Sequence, residues 1–150
     1  MTLTSPAFKP GDKIPVKYTC DGQDVSPALA WTDPPANTKS FALLNDDPDA
    51  PVGDWVHWIV FNIGPEARQL AEAVEVAKAL PGALAGRTDF GHTRYGGPCP
   101  PPGKPHRYFF KLYALDVKLN LKAGATKKEL LTAMEGYILA QVELMGKYGR

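Results

Sequence analysis

Between Gly97 and Pro105 the sequence GPCPPPGKP sets five prolines within eight residues, then runs straight into HRYFFKLYALD. Proline fixes φ near −65° and has no N–H to donate, so neither a helix nor a central strand passes through this segment. The backbone is stiffened just ahead of a strand-like run that opens on His106 and Tyr108. The same punctuation recurs along the chain: fourteen glycines and fifteen prolines far exceed the usual ~12% share. So many turns favour short strands over long helices.

Strand-like runs lie between these turn signals. They are Lys13–Tyr18, Ala28–Thr32, Ser40–Asn45, Trp55–Ile63 and Arg107–Asp116, the last being the strongest. In the fourth run, period-2 alternation puts His57, Ile59, Phe61 and Ile63 on one face and Val56, Trp58, Val60 and Asn62 on the other. Both faces are largely apolar, which predicts a central strand covered on each side. In the last run His106, Tyr108, Phe110, Leu112 and Ala114 share a face. Helical signal is confined to two places. Thr126–Met145 opens with a capping box of Thr126 and Glu129 and carries apolar residues from Leu130 to Met145 at the spacing of one buried stripe. Pro65–Ala79 has good helix formers and ends at Pro81-Gly82.

At 150 residues the chain has the length of one domain, with no repeat or linker to divide it. Seventeen basic and sixteen acidic residues give a net charge of +1 with no block of one sign, which leaves no electrostatic footprint for nucleic acid. The longest apolar run, Trp55–Ile63, is far below the ~20 residues of a membrane span, and no signal-peptide core is evident. A soluble, cytoplasmic protein is expected. Cys20 and Cys99 allow at most one disulfide; in a reducing cytosol free thiols are the commoner outcome.

The residues with chemistry to offer converge on two stiff segments. DDPDAPVGDWVHW holds Asp46, Asp47 and Asp49 at the end of one strand and His57 at the start of the next, with Pro48 and Pro51 keeping the acids extended. The second segment delivers His106 and Tyr108. Three kinds of site can be built from them: a metal-dependent hydrolase using His57, His106 and Asp47; an acid/base or nucleophilic enzyme, for which no serine or cysteine has a suitable setting; or an anion pocket of His, Tyr and backbone donors. Only the last uses the prolines and glycines, which fix donors and let a ligand approach the backbone. Arg107, on the face opposite His106 and Tyr108, is expected to brace the Asp-Pro-Asp segment. Trp31, Trp55 and Trp58 are expected in the core or pocket wall, and His92 in an exposed loop.

DDPDAP followed by HW, and then YGGPCPPPGKPHRYFFKLYALD, resemble the two signature regions of the phosphatidylethanolamine-binding protein family, which includes the Raf kinase inhibitor protein. YTCDGQDVSPALAW, LPGALAGRTDFGHTRYGGPCPP and AMEGYILAQVELMGKYGR resemble its bacterial and archaeal branch. The resemblance implies an all-β fold, a β-sandwich of two antiparallel sheets with a few peripheral helices, and a small anion pocket at one end, without metal or cofactor. It assigns that pocket Asp47, Asp49, Pro51 and His57 from the first signature, and Pro100, Pro101, His106 and Tyr108 from the second, with the Cys99 backbone facing the anion. Asp47 and Asp49 would position the histidines. The ligand implied is phosphate or a phosphorylated headgroup, and the function that of a binding module acting on a kinase or protease partner rather than an enzyme. The microbial branch adds a homodimer and a final helix over Thr126–Met145.

Overall fold

The computed structural model describes all 150 residues. Eight strands, β1 (Thr2–Thr4), β2 (Leu29–Thr32), β3 (Ser40–Asp47), β4 (Trp55–Ile63), β5 (Gln69–Leu70), β6 (Leu84–Ala85), β7 (His106–Leu115) and β8 (Ile138–Tyr148), form two sheets. The smaller has the order β1-β2-β5 and the larger β6-β4-β3-β7-β8, and every pairing between these strands is antiparallel. Two short helices, α1 (Val76–Ala79) and α2 (Lys127–Met134), complete the elements together with a 3-10 turn at Val16–Tyr18.

β3 and β4 are buried on both faces because each face meets a different layer. Phe41, Leu43, Trp58 and Val60 pack with Leu3, Leu29, Trp31 and Leu70 of the small sheet and with Tyr108, Phe110 and Leu112 of β7. On the reverse face Ala42, Leu44, Ile59, Phe61 and Tyr113 pack beneath Leu130 and Met134 of α2. Each fully buried Leu or Phe contributes roughly 1.5–3 kcal/mol relative to exposure. The two-sided core therefore fixes the middle strands, whose ends carry the site.

Four of the expected runs appear as strands, with ends moved by one or two residues. Lys13–Tyr18 does not: Lys13 makes an isolated bridge to Lys147, and the chain then turns. Pro15, at φ −58°, lacks the N–H that a continuing ladder needs. Pro65–Ala79 is helical only at Val76–Ala79, since Gln69 and Leu70 pair with Ala30 and Leu29 and bury Leu70 in the core. The largest correction concerns Thr126–Met145. The capping box forms as expected, but α2 stops at Met134 and Gly136 takes φ +82°, a conformation natural to glycine. The rest becomes β8, paired along the whole of β7, with Leu144, Gly146 and Tyr148 buried on alternate positions.

The faces of β4 also differ from strict alternation. Asn45 pairs with Trp58 and Asp46 with Val56, which leaves His57 as the extra residue of a β-bulge. A second irregularity falls between Val60 and Ile63, where Asn62 has φ +57° and exchanges two hydrogen bonds with the Leu119 backbone. His57 and Ile63 are thereby turned off the face that Ile59 and Phe61 occupy. The bulge sends His57 toward β7.

Candidate functional site

A cavity of about 270 Å³ opens at the end of the large sheet where β3 finishes and β4 and β7 begin. Of the residues singled out in the sequence, Asp47, Pro51, His57, Cys99, Pro101, His106 and Tyr108 are brought together in its wall. Tyr108, 1% exposed, stands between the imidazoles: its ring is edge-on to His57 at 5.2 Å and roughly parallel to His106 at 6.4 Å. Burial, followed by the charges of Asp47 and Asp49, pushes the Tyr108 hydroxyl well above its usual range, so it stays a proton donor.

Each histidine has one ring nitrogen committed. His57 Nδ1 lies 2.6 Å from the Gly96 carbonyl, which can only accept, so Nδ1 carries the proton. The same glycine donates its N–H to the His57 carbonyl at 3.0 Å, clamping the residue from both ends. His106 Nδ1 donates to Asp47 Oδ2 at 2.8 Å, while Asp47 Oδ1 accepts the Asp49 amide at 2.7 Å. The Nε2 atoms of both rings are left without a protein partner. Burial lowers the His57 pKa below its ordinary 6.5, against opposing pulls from the Gly96 carbonyl and from Asp47 and Asp46. In the free protein, desolvation wins and the His57 ring rests neutral.

Asp49 and Pro100 are the two expected residues that the cavity wall does not include. Asp49 turns toward Arg107, whose Nε, Nη2 and backbone N–H all donate to its carboxylate at 2.9 Å. This pairing holds the Asp49 carboxyl down at about 2, and Arg107 braces the Asp-Pro-Asp turn as expected. Asp49 therefore acts chiefly on the shape of the turn, with His106 near enough only for a weaker electrostatic contribution. Pro100 is buried behind the wall, its carbonyl 3.4 Å from Arg150 Nη1. Asp46 points to the opposite face, where Lys111 and Lys127 approach at 3.2 and 3.0 Å.

The jaw carrying Cys99 is tied down at several points. Cys99 is bonded to Cys20, against the expectation of free thiols: their Cα atoms stand 5.4 Å apart, and Cys20 donates its amide to the Pro98 carbonyl. Gly97 donates to Asp24, and Tyr95 donates to the Tyr18 carbonyl. Proximity of two thiols 79 positions apart is a product of the fold, which spacing alone does not reveal.

Trp55 forms part of the wall, while Trp31 and Trp58 lie in the core. Ala50, Val52 and Phe90 also line the cavity and were not anticipated. Phe90 packs edge-on against both Trp55 and His57 and stacks flat on His92, which accounts for that loop histidine. A lone aromatic in the Gly-rich stretch DFGH was the one available signal.

Fold and cavity together define a two-sheet antiparallel β-sandwich with a single pocket of paired histidines, aspartate and tyrosine at its strand ends. The chain belongs to the phosphatidylethanolamine-binding protein family, whose sequence model matches residues 4–149. A UPF0098 protein of Methanothermobacter thermautotrophicus is 50% identical over 151 residues, covering 100% of this chain and 99% of the relative. One from Aquifex aeolicus is 48% identical and is covered over 89% of its length. The crystal structure of a phosphatidylethanolamine-binding protein (PEBP) homologue from Chlamydia trachomatis superposes with a TM-score of 0.92 at 44% identity, over 99% of this chain and 97% of that one. Escherichia coli YbcL, a member of the mammalian PEBP family, gives 0.93 at 34% identity over 99% and 98%.

Proposed function

We propose that the pocket binds a small anion, phosphate or the phosphoryl group of a larger ligand, and that the chain acts by recognition rather than catalysis. One observation carries this reading. Both histidines spend Nδ1 on fixed protein acceptors, which leaves Nε2 of each uncommitted in residues that line one cavity together with Tyr108. An anion makes use of such donors, each charge-assisted hydrogen bond contributing ~1.5–3 kcal/mol before desolvation. Asp47 fixes the orientation of the His106 ring, and an anion beside His57 would oppose the effect of burial on the His57 ring.

The metal-dependent hydrolase reading from His57, His106 and Asp47 is less well supported. Asp47 has committed one oxygen to His106 and the other to the Asp49 amide. No three His, Cys, Asp or Glu side chains are grouped so as to hold an ion. A kinase or protease partner is proposed from family membership, and a homodimer from the exposed Leu131, Tyr137, Ile138 and Leu139 where α2 meets β8. No helix is long and apolar enough to cross a membrane. Cytoplasmic residence belongs to the same proposal, and the Cys20–Cys99 bond argues against it, since disulfides persist chiefly in oxidising compartments.

The test is a thermal-shift titration with phosphate in the millimolar range. Wild-type protein should be stabilised, and His57→Ala should fold but lose the shift. An unchanged shift in the variant removes the pocket assignment, and stoichiometric zinc or iron in purified protein would favour the hydrolase.

A further inference from the structure

Beside the histidine pocket lies a wider depression of about 630 Å³, and the two share Pro101 and His106 as a common wall. Its charged lining is Lys104, Arg107, Lys147 and Asp49. Arg107 and Asp49 satisfy each other through a two-pronged contact, so that pair adds no net charge. Neither Lys104 nor Lys147 is ion-paired.

Lys147 is in addition the bridge partner of Lys13, which is likewise free of any carboxylate and lines the next depression along the same edge. The Lys13 ammonium lies over the Tyr148 ring, 5.6 Å from its centroid, and both residues line that depression. A chain whose net charge is only +1 has thus set two lysines without a carboxylate partner, Lys104 and Lys147, in the depression that adjoins its pocket, with Lys13 in the next.

We propose that this depression is a second anion subsite, taking the remote acidic group of a small ligand whose phosphoryl group occupies the His57–His106 pocket. The inference rests on the anion reading given above and extends it: the ligand is a bis-anion, with a spacer short enough to pass the wall formed by Pro101 and His106. Lys104 and Lys147 sit on a proline-stiffened loop and on β8, so their stems start from fixed backbone. The contribution expected of two such exposed pairs is on the order of tenfold in affinity, and it should weaken with salt.

Calorimetric titration with inorganic phosphate and with a series of α,ω-alkane bisphosphonates of increasing spacer length tests this. At low ionic strength one or more short spacers should bind about tenfold tighter than phosphate. In the Lys104→Ala/Lys147→Ala variant that gain should fall to about twofold or less, with phosphate affinity unchanged. Both substitutions are at exposed positions, and phosphate binding reports that the variant is folded. Phosphate binding with no gain from any bisphosphonate, or a gain that survives the double substitution, overturns the second subsite alone. Failure of every probe to bind wild-type protein overturns the anion reading on which it stands.

Discussion

The Asp47 carboxylate joins the two jaws of the pocket: one oxygen accepts His106 Nδ1–H at 2.8 Å from β7, and the other caps the Asp49 amide in its own turn. Asp47 is 3% exposed, so neither bond is readily replaced by water. Asp47→Ala should lower stability by roughly 1–3 kcal/mol, because it leaves the Nδ1–H and the amide unpaired. Phosphate affinity should drop about tenfold as His106 loses its orientation. Asp47→Asn retains an acceptor oxygen for the ring and should recover most of the stability. Urea unfolding and phosphate titration of both variants check this; equal losses in Ala and Asn would show that the charge, and not the orientation, governs.

His57 gives the pocket a pH dependence of definite sign. Its pKa in the folded protein lies below 6.5, so as pH falls the unfolded chain takes up the proton first. The His57 contribution to stability is therefore complete above about pH 6.5 and declines as pH drops toward the folded-state value. A bound anion reverses the balance by favouring the imidazolium. Sulfate, whose charge is constant over this range, should bind more tightly as pH falls from about 7.5 to about 5.5, with proton uptake seen calorimetrically in buffers of differing ionisation enthalpy. His57→Gln should flatten the stability profile over the same window. Sulfate affinity independent of pH in wild-type protein would contradict the role given to His57.

The parts of this arrangement visible in the sequence are those set by local chemistry. Trp55–Ile63 and the face shared by His106, Tyr108 and Phe110 alternate as a buried strand must, and proline announces both jaws. What was not visible depended on tertiary pairing. Leu130 to Met145 satisfies a helical repeat, yet Val142, Leu144 and Gly146 also alternate, and only the long partner β7 decides between the two patterns. Gly136 was the local clue. The bulge that aims His57 leaves no mark on periodicity, since it is a mismatch between β3 and β4 and belongs to neither strand alone. The Cys20–Cys99 contact likewise exists only once the small loop at 19–24 docks on the second jaw.

That disulfide closes a loop of 79 residues, and in the chain-entropy account such a cross-link stabilises by about 4 kcal/mol. The jaw it holds is also fixed by the Cys20–Pro98 backbone bond and by Asp24 accepting from Gly97. Stability and binding should therefore separate. Cys20→Ser/Cys99→Ser, or wild-type protein under dithiothreitol, should melt roughly 10 °C lower while retaining phosphate affinity to within about threefold. Collapse of phosphate binding at temperatures where the reduced protein is still folded would show that the bond itself shapes the pocket.

Gly96 and Gly97 adjoin in sequence but should respond differently to a methyl group. A Cβ on Gly97 would overlap the Tyr18 carbonyl oxygen, which is backbone and is already held by the Tyr95 hydroxyl, so relief requires moving the jaw. Gly97→Ala should cost roughly 1–3 kcal/mol. A Cβ on Gly96 would overlap the ring of Phe90, a side chain 41% exposed and free to swing outward. Gly96→Ala should cost under about 1 kcal/mol, yet displace Phe90 from its edge-on packing with His57 and Trp55. Its signature is a changed Trp55 fluorescence and a shifted phosphate affinity with little change in melting temperature. A large stability loss for Gly96→Ala, or none for Gly97→Ala, would mean that the jaw is set by contacts other than these two close approaches.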